Sequence, residues 1–144
     1  MSAPAFKTLD DLDPAGKRVL VRVDFNVPLK AGAVADDTRL RASLPTITEL
    51  LDRGAAVILM SHLGRPKGHD PALGMAPVGA ALAALLGRPV RTMSAVTGPE
   101  VEETARHLQP GQVMLLENLR FDPGEESDDP RLAQDLAALA DAYV

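Results

Sequence analysis

Cysteine is absent from all 144 residues, which excludes disulfides and thiolate-held metals together. Aromatic residues make up only 3%, so a core has to come from Val, Leu, Ile and Ala. No apolar run approaches the roughly 20 residues that cross a bilayer. The first 13 residues carry no apolar segment behind a positive flank, so they are not a secretory signal. Basic excess is missing too. A formal net charge of −5 argues against general affinity for nucleic acid or for an anionic membrane. There is no G-x-x-x-x-G-K-[ST] and no G-x-G-x-x-G after a strand, so no nucleotide-phosphate loop can be read. The His, Asp and Glu spacings match no metal site, and none is expected to be bound by this chain. What remains is a soluble, cytoplasmic chain of one domain's length, in which any anion site has to be local.

Three short apolar runs organise it. Val19, Leu20, Val21 and Val23 read as a buried strand that runs into Asp24 and Asn26, and Pro28 stops the ladder. Residues 55–60 (A-A-V-I-L-M) run into Ser61-His62-Leu63-Gly64-Arg65-Pro66. Residues 113–116 run into Glu117-Asn118-Leu119-Arg120-Phe121. Between the runs, helical spacing recurs. Leu40, Leu44, Ile47 and Leu51 predict a helix from about Thr38, kinked at Pro45 and stopped by Gly54, after a polar loop over residues 29–37. Val78, Ala81, Leu82 and Leu85 predict a second helix from Pro77 to Leu86, and residues 89–93 a short strand. Thr97 and Glu100 have capping-box spacing for a helix ending near Leu108. Leu132, Leu136 and Leu139 mark a last helix from Asp129-Pro130, and Tyr143-Val144 the start of another strand. Strands alternating with helices imply an open parallel sheet with helices on both faces, a three-layer, Rossmann-like α/β/α fold.

In such a sheet, ligands bind outside the carboxyl ends of the strands. Three adjacent ends would gather Asp24, Asn26, His62, Arg65, Asn118 and Arg120 at one edge. Arg65 and Arg120 each follow a strand directly, and a guanidinium fork grips phosphate or carboxylate oxygens in pairs. Asp24 and Asn26 alternate with Phe25 and so share a face. Asp24 and Asn26 also suit loop capping, and His62 equally suits a satisfied loop histidine. Arg39 is recommended only by its place in a helix turn near the strand ends. His69 and His107 are expected to be exposed, and the acidic run from Glu125 to Asp129 to be a solvated loop.

The pieces resemble a known family. Arg22-Val23-Asp24-Phe25-Asn26-Val27-Pro28 resembles the R-x-D-x-N-x-P signature of phosphoglycerate kinases. Ser61–Pro66 and Glu117–Phe121 are similar to two further motifs of that family, in its order. Asp37-Thr38-Arg39-Leu40 resembles the start of its first helix. The resemblance implies a two-lobe enzyme that transfers phosphoryl between 1,3-bisphosphoglycerate and Mg-ADP, giving 3-phosphoglycerate and ATP. Carried over by matching motif, Arg65 and Arg120 would hold the non-transferred phosphate. Asp24, Asn26 and His62 would meet the glycerate, with Phe25, Leu63 and Gly64 in the substrate loops, and Arg39 would be both substrate-binding and catalytic. Residues 1–144 would be an incomplete N-terminal, phosphoglycerate-binding lobe, with the nucleotide lobe beyond them. The ligand would be a small molecule. The full-length enzyme would be a monomer, and this piece alone inactive, marginally stable and prone to self-association. The rival reading is a non-catalytic anion-binding module.

Overall fold

The computed structural model describes residues 16–23, 25, 29–30, 33–34, 36–61, 75–93, 95–117, 134, 136, 138–140 and 142–143. Strand β1 spans Arg18–Arg22, followed by two short strands, β2 Leu29–Lys30 and β3 Ala33–Val34. Helix α1 covers Thr38–Asp52, β4 Ala56–Met60, α2 Ala76–Leu86 and β5 Val90–Thr92. Helix α3 covers Pro99–Arg106, β6 Val113–Leu115, and β7 Ala142–Tyr143. The main sheet has the order β5-β6-β4-β1-β7, and every neighbouring pair is parallel.

Period-two alternation divides the strands between two cores. Val19, Val21, Val57, Leu59, Val113 and Leu115 pack with Leu40, Ile47 and Leu50 of α1 and with Val78 and Leu82 of α2. Leu20, Ala56, Ile58, Met60 and Met114 face the other way, toward Val101 and Ala105 of α3 and toward Leu136 and Leu139. The layering follows from handedness. The crossovers through α1 and α2 step along the sheet toward β5, and the return through α3 steps back. Right-handed connections running in opposite directions place their helices on opposite faces. β4, in the middle, has all five residues buried. Full burial of a Val, Leu, Ile or Met side chain contributes about 1.5–3 kcal/mol. The expected α/β/α arrangement is the one found.

Local chemistry sets the boundaries. α1 runs without a break through Pro45. It ends at Asp52, and Gly54, two residues on, turns the chain at a φ of 87° that suits a residue without Cβ. Gly54 N–H donates to Leu51 O and Ala55 N–H to Leu50 O, both at 3.0 Å, which completes a Schellman cap.

Some expectations are corrected. The loop over residues 29–37 contains a small antiparallel ladder, in which Leu29 pairs with Val34 and Lys30 with Ala33. Val34 is drawn out of the polar loop by packing against the core under α1 and α2. The Thr97/Glu100 capping box is not used. Gly98 takes the N-cap position of α3 at φ 115°, and the helix begins at Pro99, where the missing N–H costs no hydrogen bond. α3 ends at Arg106, two residues short of Leu108, which is buried beyond its end. Of the last expected helix, Gln134 and Leu136 are helical, and Ala138 N–H donates to Gln134 O at 3.0 Å. β7 begins at Ala142 and pairs with Val19 and Leu20, so the β1 edge is covered over two residues.

Candidate functional site at the carboxyl edge

The three motif-bearing strands stand side by side in the order β6-β4-β1. Their chain exits are also stitched together. Val23 N–H donates to Met60 O and Leu116 N–H to Leu59 O, both at 3.0 Å, so each ladder extends past its strand. After β4 the chain leaves for α2 on one face. After β6 it goes on to residues packed on the opposite face. Neighbouring strands whose chains part to opposite faces open a crevice at their carboxyl ends, the usual ligand site of such sheets.

Two buried polar side chains line these exits. Ser61, 1% exposed, accepts at Oγ from the amide of Phe25 at 2.9 Å. Glu117, 9% exposed, accepts at Oε1 from the amide of Met75 at 2.8 Å. Met75 is the N-cap residue of α2, so the carboxylate also sits at the positive end of an 11-residue helix dipole. Phe25 itself is fully buried in the core beneath α1 and α2. Sequence reasoning quoted Ser61 and Glu117 as motif residues but gave them no role. Their signal was a polar residue directly after an all-apolar strand, where the next buried partner is invisible in one dimension.

Arg39 lies in the first turn of α1 and is exposed. α1 returns from the carboxyl end of β1 to the amino end of β4, so its first turn is on the site's edge. Just before it, Asp36 Oδ1 accepts from the Thr38 hydroxyl at 2.6 Å and from the Thr38 amide at 2.9 Å. The hydroxyl first, then the amide and the charge of Arg39, hold the Asp36 carboxyl below its ordinary value. Arg41 pairs with Asp37 at 3.0 Å, which raises the Arg41 guanidinium further above its ordinary value.

Of the candidate residues, Arg39 and Phe25 fall within the described structure. Asp24, Asn26, His62, Leu63, Gly64, Arg65, Asn118 and Arg120 lie outside the described residues. What the structure describes is therefore the first residues of each motif, Val23, Ser61 and Glu117, where the chain leaves the three strands. His107, as expected, is exposed, with Nδ1 2.9 Å from Glu103 O. A groove of about 570 Å³ lined by Arg88, Arg91, His107 and Gln112 lies at the amino ends of β5 and β6, the opposite edge of the sheet. It is separate from this site. No described helix is long and apolar enough to cross a membrane.

Comparison with known proteins points the same way as the strand exits. The chain is 59% identical over 139 residues to phosphoglycerate kinase from Thermomicrobium roseum, covering 96% of this chain and 36% of that protein. It is 62% identical over 138 residues to phosphoglycerate kinase from Moorella thermoacetica, covering 95% of this chain and 35% of that one. The chain thus spans about a third of the length of these relatives. Among solved structures, phosphoglycerate kinase from Pyrococcus horikoshii superimposes with a TM-score of 0.84 at 32% identity, over 96% of this chain and 36% of that one. The Coxiella burnetii enzyme gives 0.81 at 33% identity, over 96% and 34%. A family model described as phosphoglycerate kinase matches residues 9–144. With nearly its whole length matched in sequence and in fold, the chain belongs to the phosphoglycerate kinase family.

Proposed function

We propose that this chain is the phosphoglycerate-holding part of a cytoplasmic glycolytic phosphoglycerate kinase, exchanging phosphoryl between 1,3-bisphosphoglycerate and ADP. The observation that carries the reading is the adjacency of β6, β4 and β1, whose exits lead into the three motifs. Arg65 and Arg120 grip the non-transferred phosphate as charge-assisted forks. Asp24, Asn26 and His62 take the glycerate hydroxyl and carboxyl, with Phe25, Leu63 and Gly64 shaping the loops. Arg39, at the edge of the site, offsets the negative charge that spreads over the phosphoryl oxygens in flight. Such transfers depend on positioning and charge stabilisation more than on covalent help.

Magnesium and the adenine nucleotide belong to the family's reaction, and the nucleotide supplies the phosphoryl acceptor. We assign magnesium, with the nucleotide, to the further length that the relatives carry. The full-length enzyme is then a monomer, in which lobe closure brings the two ligands together.

Titration of the 144-residue chain with 3-phosphoglycerate, followed by amide NMR shifts, tests the reading. Binding with shifts at Asn26, His62 and Arg120 is expected. Arg65→Ala or Arg120→Ala should cost tenfold or more in affinity, since a charge-assisted hydrogen bond contributes about 1.5–3 kcal/mol. Unshifted amides there would refute it. In a coupled assay the chain alone is expected to bind without transferring phosphoryl to ADP.

A further inference from the structure

We propose that Ser61 and Glu117 are positioning residues that set the three ligand loops in register with one another. The inference rests on the proposed phosphoglycerate site. A buried hydroxyl and a buried carboxylate are costly unless their lone pairs are used. Each here accepts from a backbone N–H that neither sheet nor helix satisfies, on a segment 36 or 42 residues away. Ser61 joins the exit of β4 to the loop after β1. Glu117 joins the exit of β6 to the start of α2.

The consequence is a chain of couplings along the binding edge. Asp24 stands between two residues whose amides are both held by the β4 exit, Val23 by Met60 O and Phe25 by Ser61 Oγ. The segment 62–74, which carries His62, Gly64 and Arg65, runs between Ser61 and Met75. One of its ends is tied to the β1 exit and the other to the β6 exit. The segment carrying Arg120 leaves from Glu117. Moving any one of these anchors strains a hydrogen bond to the next, so the points from which the three motif segments leave the sheet are tied to one another. Both bonds are buried at the edge of the core, where Phe25 and Met75 pack beneath α1 and α2, so a variant's fold has to be checked before its binding is read.

The test separates positioning from mere stability. Wild type, Ser61→Ala, Glu117→Gln and Glu117→Ala are each titrated with 3-phosphoglycerate and, separately, with inorganic phosphate, after a melt confirms folding. Positioning predicts that both alanine variants lose tenfold or more of the preference for 3-phosphoglycerate over phosphate. One bound group is still met in them, but two no longer fit at once. Glu117→Gln, which keeps a neutral acceptor, should lie between Glu117→Ala and wild type. Should an alanine variant fail to fold, Ser61→Cys and Glu117→Gln carry the same criterion through a weakened acceptor. Folded variants that keep the wild-type preference overturn this inference alone. A wild type that binds neither ligand overturns it together with the proposed function.

Discussion

Gly79 of α2 lies directly against Thr92 of β5. A Cβ placed on Gly79 would stand 3.3 Å from Thr92 Cβ and closer still to Thr92 Oγ1. Glycine inside a helix costs about 1 kcal/mol relative to alanine. The helix therefore gives up propensity in order to approach the sheet. Gly79→Ala is expected to destabilise by a net 1–3 kcal/mol or so, the typical cost of overpacking. Chemical denaturation measures it. Gly79→Ala combined with Thr92→Ala should recover part of the loss, and additive effects in that pair would refute steric contact as the cause.

Pro45 gives the opposite expectation. It is exposed in the interior of α1, where it cannot donate to the carbonyl of Arg41. Pro45→Ala should stabilise the fold by about 1–3 kcal/mol, because a hydrogen bond is gained and no packing is lost. A melting temperature at or below wild type would show that the proline is compensated.

The acid range probes the start of α1. The Asp36 carboxyl is held below its usual 3.8 mainly by the Thr38 hydroxyl. A depressed value means that the stabilisation is present in full above 3.8 and is lost as pH falls through the lower, folded value. Carboxyl NMR titration should find Asp36 ionising below 3.8. Thr38→Ala should move it back up, and by more than Arg39→Ala does, since the charge of Arg39 is the smaller influence. The reverse order would make the charge of Arg39 the dominant cause.

Arg39 should also separate binding from chemistry. In an active enzyme carrying this stretch, Arg39→Ala is expected to lower kcat by about 10³–10⁵, the range for arginines that meet transition-state charge. KM for the phosphoglycerate substrate should change little. A raised KM with near-normal kcat would place Arg39 in ground-state binding instead.

The apolar runs alone located β1, β4 and β6, because residues buried on both faces of a sheet have to be apolar, as all of β4 and β6 and the centre of β1 are. Leu40, Ile47 and Leu51 located α1 through Pro45, since three buried turns outweigh one lost hydrogen bond. The motif residues, being covalent neighbours of those strands, were legible as candidates for the same reason. Other features were set by contacts distant in sequence. The side-by-side order β6-β4-β1 depends on crossover direction, which no local pattern encodes. Helix α3 starts at Gly98 and Pro99 and leaves the Thr97 capping box unused, a choice that local spacing did not reveal. Val34 joins the core from within a polar loop because α1 and α2 offer it apolar cover. Ser61 and Glu117 acquire their partners only when the chain folds, since Phe25 and Met75 come within hydrogen-bonding reach of them only in three dimensions. Periodicity follows from local geometry and can be read from a single chain, whereas a buried polar group's partner is decided by where the fold returns.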